Sequence, residues 1–195
     1  MKNKMLLVSL VLSLLFVASS AMAALPQDAI LLEGEDAVKM DRGVKIVEKE
    51  GASGGKCINA MPDAMAYYEF DIPSDGDWYV WVRMFCPDGD ADSLYIGIDK
   101  ATPVPEDSKA RKRAARIYSA PGDSVNTGGK DSFNVWYWDA GMDTGATTYF
   151  KVKTAGKTSL YIIGREYGTL IDQIVLVKDK DFHVEKELKG AAATK

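Results

Sequence analysis

Apolar and polar residues alternate in short runs along this chain, and clusters of Gly, Pro, Asp and Ser separate the runs. A period of two, enriched in β-branched and aromatic residues, marks half-buried strands. On that basis strands are expected at 29–35, 44–48, 56–59, 66–72, 77–85, 93–98, 132–138, 147–152, 159–164 and 170–177. Pro73-Ser74-Asp75-Gly76 and Pro87-Asp88-Gly89 pair a fixed φ with a residue that tolerates positive φ, so each reverses the chain. No segment of comparable strength reads as a core helix. Most connections are shorter than the dozen residues that a parallel crossover needs, so the pattern predicts an all-β jelly-roll β-sandwich of two antiparallel sheets.

The ends read differently from the middle. Met1-Lys2-Asn3-Lys4 is basic, 5–18 is apolar, and Ser19-Ser20-Ala21-Met22-Ala23 offers a small-x-small cleavage site after Ala23. This is the layout of a signal peptide over 1–23, which directs the remainder to a secreted or periplasmic location. The apolar stretch is shorter than the roughly 20 residues a membrane span needs, and no second one follows, so no membrane span is expected. Residues 24–177 form one domain-sized unit. The tail at 178–195 is charged, then small and apolar, and is expected to lie outside the core. One connection, 99–131, is long; Pro105, acidic residues and then basic ones suit a short helical turn. Its Lys109, Arg111, Lys112, Arg113 and Arg116 are either a solvated face or an attractor of acidic polymer.

Charge and composition narrow the chemistry. Loss of Lys2 and Lys4 takes the formal net charge from −4 to −6, which argues against nucleic acid as partner. Two cysteines, Cys57 and Cys86, are free to pair after export or to pack as small apolar residues. The single histidine, His183, lies in the tail, so hydrolase triads and His-based metal sites nearly fail. Gly51-Ala52-Ser53-Gly54-Gly55-Lys56 lacks P-loop spacing and reads as a tight turn. Acids such as Asp88, Asp90 and Asp92 sit in turn-like segments. No catalytic constellation emerges, and binding is the expected function.

Three acids stand apart. Glu33 and Glu35 alternate at the end of an apolar run, where two like charges on one face repel. Asp172 interrupts an apolar strand and needs a partner: a cation, an arginine such as Arg165, or backbone N–H groups. Among the aromatics, Asn134, Trp136 and Trp138 share one side of a strand, opposite Phe133, Val135 and Tyr137. Tyr79, Trp81 and Arg83 share a face in the same way. Exposed indoles beside amides and carboxylates suit sugars, while the same rings also serve as core fillers.

These pieces together resemble the calcium-dependent carbohydrate-binding modules of families 6 and 35. The matching segments run in order: Leu32-Glu33-Gly34-Glu35-Asp36-Ala37, Gly51 to Lys56, Tyr68-Glu69-Phe70-Asp71-Ile72-Pro73, and Gly76-Asp77-Trp78-Tyr79-Val80-Trp81-Val82-Arg83. The Trp136/Trp138 strand and Arg165-Glu166-Tyr167-Gly168-Thr169-Leu170-Ile171-Asp172 complete the series, which spans 29–177. The resemblance implies a galactose-binding-like sandwich with a structural calcium held by Glu33, Glu35 and Asp172. It also implies a non-catalytic protein that takes a polysaccharide or glycan through Tyr67, Asn134, Trp136 and Trp138, with Asp143 as a loop acid. The long 99–131 connection departs from the family pattern. An exported protein-interaction or envelope role, with an exported protein as partner, is the alternative use of the same fold.

Overall fold

The structure, a computed structural model, describes residues 25–104, 114–118, 133–141, 146–184 and 187. Alternation does the structural work. In β6 (Gly76–Phe85) it sends Trp78, Val80, Val82 and Met84 inward, each fully buried, while Tyr79, Trp81, Arg83 and Phe85 point outward. β5 (Met65–Ile72) and β12 (Gly156–Gly164) do the same from the opposite side with Ala66, Tyr68, Leu160 and Ile162.

Among the described residues, two antiparallel sheets result, and the fold is all-β. The larger sheet runs in the order β3 (Val44–Glu48), β4 (Lys56–Ala60), β13 (Leu170–Val177), β6, β11 (Tyr149–Val152), β8 (Thr102–Val104). β1 (Ile30–Glu33) also pairs with β13, and β10 (Trp136–Asp139) with β6. The smaller sheet runs β2 (Lys39–Met40), β5, β12, β7 (Ser93–Ile98), β9 (Ala115–Tyr118). Their inner faces meet in one core that includes Ile58, Tyr68, Trp78, Ile96, Phe150 and Ile174. No helix among the described residues is long and apolar enough to cross a membrane.

Several expectations are corrected. The first strand ends at Glu33 rather than 35, because Gly34–Asp36 form a 3₁₀ turn whose Gly34 carbonyl accepts a buried hydrogen bond from Tyr68 Oη at 2.8 Å. The strand expected at 132–138 becomes β10, since Asn134 adopts φ +60 and breaks the ladder before it. The 99–131 connection contains β8 and β9, at the edges of opposite sheets. Arg116, on β9, is buried with its guanidinium 5.3 Å from the Tyr118 ring centre, so it is no part of a solvated basic face. Lys109, Arg111, Lys112 and Arg113 lie outside the described residues, as does the leader at 1–23.

The described start of the tail packs on the outside of the sandwich. A second apolar cluster lies outside the sandwich, on the outward face of the larger sheet, and contains Trp81, Trp138, Ala140, Val175, Val177 and Val184. Phe182 from the tail and Leu25, Ala29 and Leu31 from the start of the domain pack against it. His183 adds a ring contact to Trp81, centroids 4.8 Å apart. Both cysteines are free and buried: Cys57 Sγ sits 3.7 Å from the Val47 carbonyl, and Cys86 Sγ 3.0 Å from Tyr137 Oη. Burial pushes the Cys57 thiol up to about 11 and the Cys86 thiol up to about 12, so both act as packing groups.

Candidate functional site

The acids at the end of β1 meet an irregularity in β13. Ile171 and Ile174 both point into the core, opposite Met84 and Val82, and the register shifts between Ile171 and Gln173. This β-bulge sets Asp172 and Gln173 side by side on the outward surface. Gln173 Nε2 donates to Glu33 Oε1 at 2.9 Å. Gly34 allows the approach, since a Cβ there would lie 2.6 Å from the Ile171 carbonyl oxygen and 2.9 Å from that of Asp172. Glu33 and Asp172 thereby lie on neighbouring strands distant in sequence, with Glu35 on the 3₁₀ turn that follows Glu33.

Their partners differ. Glu33 Oε2 and Glu35 Oε2 are buried without a hydrogen-bond partner. Burial, reinforced by the charges of Glu33 and Asp172, raises the Glu35 carboxyl above its ordinary value against a backbone hydrogen bond that lowers it. Two orphaned carboxylate oxygens are what a hard cation binds. Asp172, fully buried, has both oxygens engaged. Its Oδ1 accepts from Ser53 N at 2.8 Å and its Oδ2 pairs with the Arg83 guanidinium; Arg165 instead binds Glu166 and Ser93 Oγ. Even so, burial outweighs these contacts and raises the Asp172 carboxyl. Glu33 and Glu35 therefore each keep one oxygen without a partner, while both oxygens of Asp172 are engaged. No group of three or more His, Cys, Asp or Glu is arranged to hold a metal ion among the described residues.

Arg83 reaches further. Its second amino group donates to the Gly51 carbonyl at 3.0 Å, and the guanidinium lies 5.2 Å from the Trp136 ring centre. Trp136 Nε1 donates to the Glu50 carbonyl at 2.9 Å, and its ring packs on Phe85 at 5.5 Å. A Cβ on Gly51 would come within 2.9 Å of the Trp136 ring, so the glycine-rich turn is fitted to this half-buried indole. Trp138 is 4 % exposed, beneath the second apolar cluster. That overturns its expected place on an open platform: the alternation sends it outward as read, but Val184 and its neighbours cover it. Asn134 leaves the strand face as well, its amide donating to the Pro87 carbonyl at 2.9 Å. Asp143 lies outside the described residues.

Loops gather beside Asn134. Gly89 approaches Phe133, and Gly168 approaches Pro87 and Ala91. Glu166 Oε2 accepts from Asp92 N, Ser93 N and Ser93 Oγ at 2.8–3.1 Å, pinning the 165–168 loop to the start of β7. Tyr167 at the tip is 69 % exposed.

Tyr67 lies on the other side of the molecule, on the outward face of the smaller sheet. Register places Tyr161 opposite it, with ring centroids 6.5 Å apart, and Lys39 Nζ 5.2 Å from the Tyr67 ring centre. The Tyr161 ring rests against Gly97, where a Cβ would meet Cζ at 2.3 Å. One step along the strands the rings give way to a groove of about 470 Å³, lined by Glu69, Asp71, Asp99, Lys100, Lys157 and Ser159 among others. Asp99 N donates to the Ser159 carbonyl at 2.8 Å and anchors the turn that walls it. Tyr161, Glu69 and Ser159 escape the sequence reading, although alternation through 159–164 and 66–72 carries the signal. The expected aromatics thus fall on opposite faces and do not form one platform.

Comparison with known proteins identifies the fold. No protein-family model matches the sequence, and no curated protein does. Solved structures match at 12–17 % identity. The carbohydrate-binding module CBM6cm-2 of Cellvibrio mixtus lichenase 5A, in complex with cellotriose, matches with TM-score 0.51 at 17 % identity, over 77 % of this chain and 97 % of that one. A Podospora anserina GH26-CBM35 β-(1,4)-mannanase matches with TM-score 0.54 at 12 % identity, over 81 % of this chain. An exo-β-1,3-galactanase from Phanerochaete chrysosporium, with β-1,3-galactotriose, gives 0.52 at 12 % over 77 %. The matches span 29 % of each of those two enzyme chains. The sandwich has the fold of family 6 carbohydrate-binding modules.

Proposed function

We propose that this protein is a non-catalytic carbohydrate-binding domain that takes a glycan on the outward face of the smaller sheet. The groove beside Tyr67 and Tyr161 carries this reading. Two rings offer apolar faces to sugar C–H groups, and carboxylates, lysines and a serine next to them suit hydroxyl hydrogen bonding. The family 6 fold supports the same class of ligand. The basic start, apolar stretch and small-x-small site at 1–23 support export, where polysaccharide and calcium are available. Calcium is assigned to Glu33 and Glu35, supported by their orphaned oxygens, with Asp172 as the adjoining acid.

A glycan array, followed by affinity electrophoresis on the polysaccharides that score, tests the reading. Retention is expected for the native protein, and Tyr161→Ala should weaken it by at least tenfold, about the loss of one aromatic anchor. A folded protein held by no polysaccharide overturns the proposal. Melting with calcium should occur at a higher temperature than with EDTA, since a ligand bound only by the native state stabilises it. Equal melting temperatures remove the cation.

A further inference from the structure

Two connections at one end of the sandwich carry the same aromatic and charged pattern onto both of its faces. The turn at 73–75 joins β5 to β6, and the turn at 153–155 joins β11 to β12. On the smaller sheet, register sets Tyr67 against Tyr161 and, nearer the turns, Asp71 against Lys157. On the larger sheet it sets Tyr79 against Tyr149 and, nearer the turns, Asp77 against Lys151. Trp78, Val80 and Phe150 are fully buried between the sheets, so alternation points the tyrosines and charges of this second set outward. A tyrosine pair followed by an Asp–Lys pair therefore occurs twice, back to back.

The second set is open where its neighbours on the same face are covered. Tyr79 and Tyr149 are half-buried, with ring centroids 5.1 Å apart and planes tilted by 32°, and Asp77 and Lys151 are exposed. Tyr79 packs on the edge of the cluster that Phe182 and Val184 cover, and Tyr149 is not part of it. Although opposite one another, Asp77 and Lys151 form no ion pair among the described residues, which leaves both charges to solvent or to a ligand. We propose that Tyr79, Tyr149, Asp77 and Lys151 form a second glycan-binding face on the larger sheet, and that the protein holds two polysaccharide chains at once, one on each side of the sandwich. Rings for sugar C–H groups and charges for hydroxyls are the chemistry of the groove face, so the ligand class rests on the glycan reading above. The second face is shorter. On the smaller sheet the Glu69/Ser159 row separates the tyrosines from the Asp–Lys pair, whereas here the two rows are adjacent, about 7 Å apart at the rise of a strand. That leaves room for fewer sugar units, so its affinity is the lower of the two. Faces directed away from each other do not close on one stretch of a stiff chain; they bridge neighbouring chains.

Titration calorimetry tests the second face, with the hexasaccharide of whichever polysaccharide best retains the native protein as the probe. The variants are Tyr149→Leu and Tyr161→Leu, which keep apolar bulk without a flat ring, and Lys151→Ala at an exposed position; circular dichroism confirms that each is folded. The native chain should bind two hexasaccharides. Tyr149→Leu should bind one with the higher affinity kept, and Tyr161→Leu one with the lower affinity. Lys151→Ala should weaken the lower-affinity site alone by about tenfold, the scale of one hydrogen bond from a charged group. At full length the same polysaccharide should be cross-linked by the native protein, read as turbidity, and by neither leucine variant, with retention falling about tenfold or more in each as avidity is lost. One hexasaccharide per native chain, lost in Tyr161→Leu and kept in Tyr149→Leu, overturns the second face and leaves the groove reading standing. One per native chain, lost in Tyr149→Leu and kept in Tyr161→Leu, overturns the holding of two chains and moves the glycan to the larger sheet, so the groove reading falls. Should Tyr149→Leu fail to fold, an unchanged lower-affinity site in Lys151→Ala overturns the second face. Retention by no polysaccharide overturns both readings.

Discussion

On the larger sheet the outward positions of β6 and β10 carry Trp81 and Trp138; on the smaller sheet those of β5 and β12 carry Tyr67 and Tyr161. In sequence the two sets look alike, each an outward-facing aromatic within an alternating strand. In the fold they have opposite fates. Trp81 and Trp138 are 2 % and 4 % exposed under Leu25, Phe182 and Val184, whereas Tyr67 and Tyr161 stay half-buried beside an open groove. The difference comes from residues at the two ends of the described domain, which pack over Trp81 and Trp138, whereas Tyr67 and Tyr161 flank a third apolar cluster of Met65, Tyr95, Ala114 and Ile163 and keep their partial exposure. An outward aromatic is therefore a ligand platform only where nothing else in the chain covers it. Covering also has a local cost, since Trp81 Nε1 is buried with no hydrogen-bond partner. The apolar contact of two indoles with five or more neighbours more than offsets one lost hydrogen bond.

The largest effect that separates the faces is expected from Trp138→Ala. A buried indole replaced by a methyl group costs about 3–5 kcal/mol of stability, read by urea denaturation. Retention on polysaccharide, per folded molecule, should be unchanged. If the variant keeps its stability and loses retention, the covered face is the binding surface and the two faces exchange roles.

A smaller and complementary effect is expected at Gly97. An alanine Cβ would overlap the Tyr161 ring at 2.3 Å, so Gly97→Ala must lift that ring off the sheet. The ring is the far end of a flexible side chain and can move, which keeps the stability cost within about 1–2 kcal/mol. Glycan affinity should fall by about tenfold because the platform is displaced rather than deleted. Unchanged affinity in a folded variant would show that the glycan does not use Tyr161, and would send the search to the loop end at Tyr167.

Much of this arrangement was legible in the sequence. The strands of the core follow from alternation in 66–72, 77–85 and 170–177, and the two-sheet sandwich follows from short connections. Strands β2, β8 and β9 escape because two to four residues are too few to show a period. That Glu33, Glu35 and Asp172 need partners was open to inference from unfavourable charge, whereas their convergence was only what the family resemblance implies. The identity of the partner of Asp172 was not open in this way, since Arg83 meets it only through a ladder register and a bulge. Alternation assigns Trp138 to a face, but it carries no information about what lies over that face. Glu35 shows the same limit, because a 3₁₀ turn over Gly34–Asp36 replaces the last strand residues and takes it out of the strand alternation.

The smallest effect concerns the loop end that joins the two faces. Asp92 is 3 % exposed, and burial raises its carboxyl above the ordinary value despite help from Ser93, Arg165 and Arg116. For an acid whose native pKa is raised, the folded state disfavours the charge. The penalty is therefore fully present above the native pKa and disappears as pH falls below the unfolded value of about 3.9. Asp92→Asn removes the charge while keeping the shape, so it should raise the melting temperature by a few degrees at neutral pH. At pH 3 the native protein and the variant should melt together. A lower melting temperature for Asp92→Asn at neutral pH would mean that its pairing with Arg165 and Arg116 outweighs burial, and that this end of the sandwich is held by charge rather than by packing.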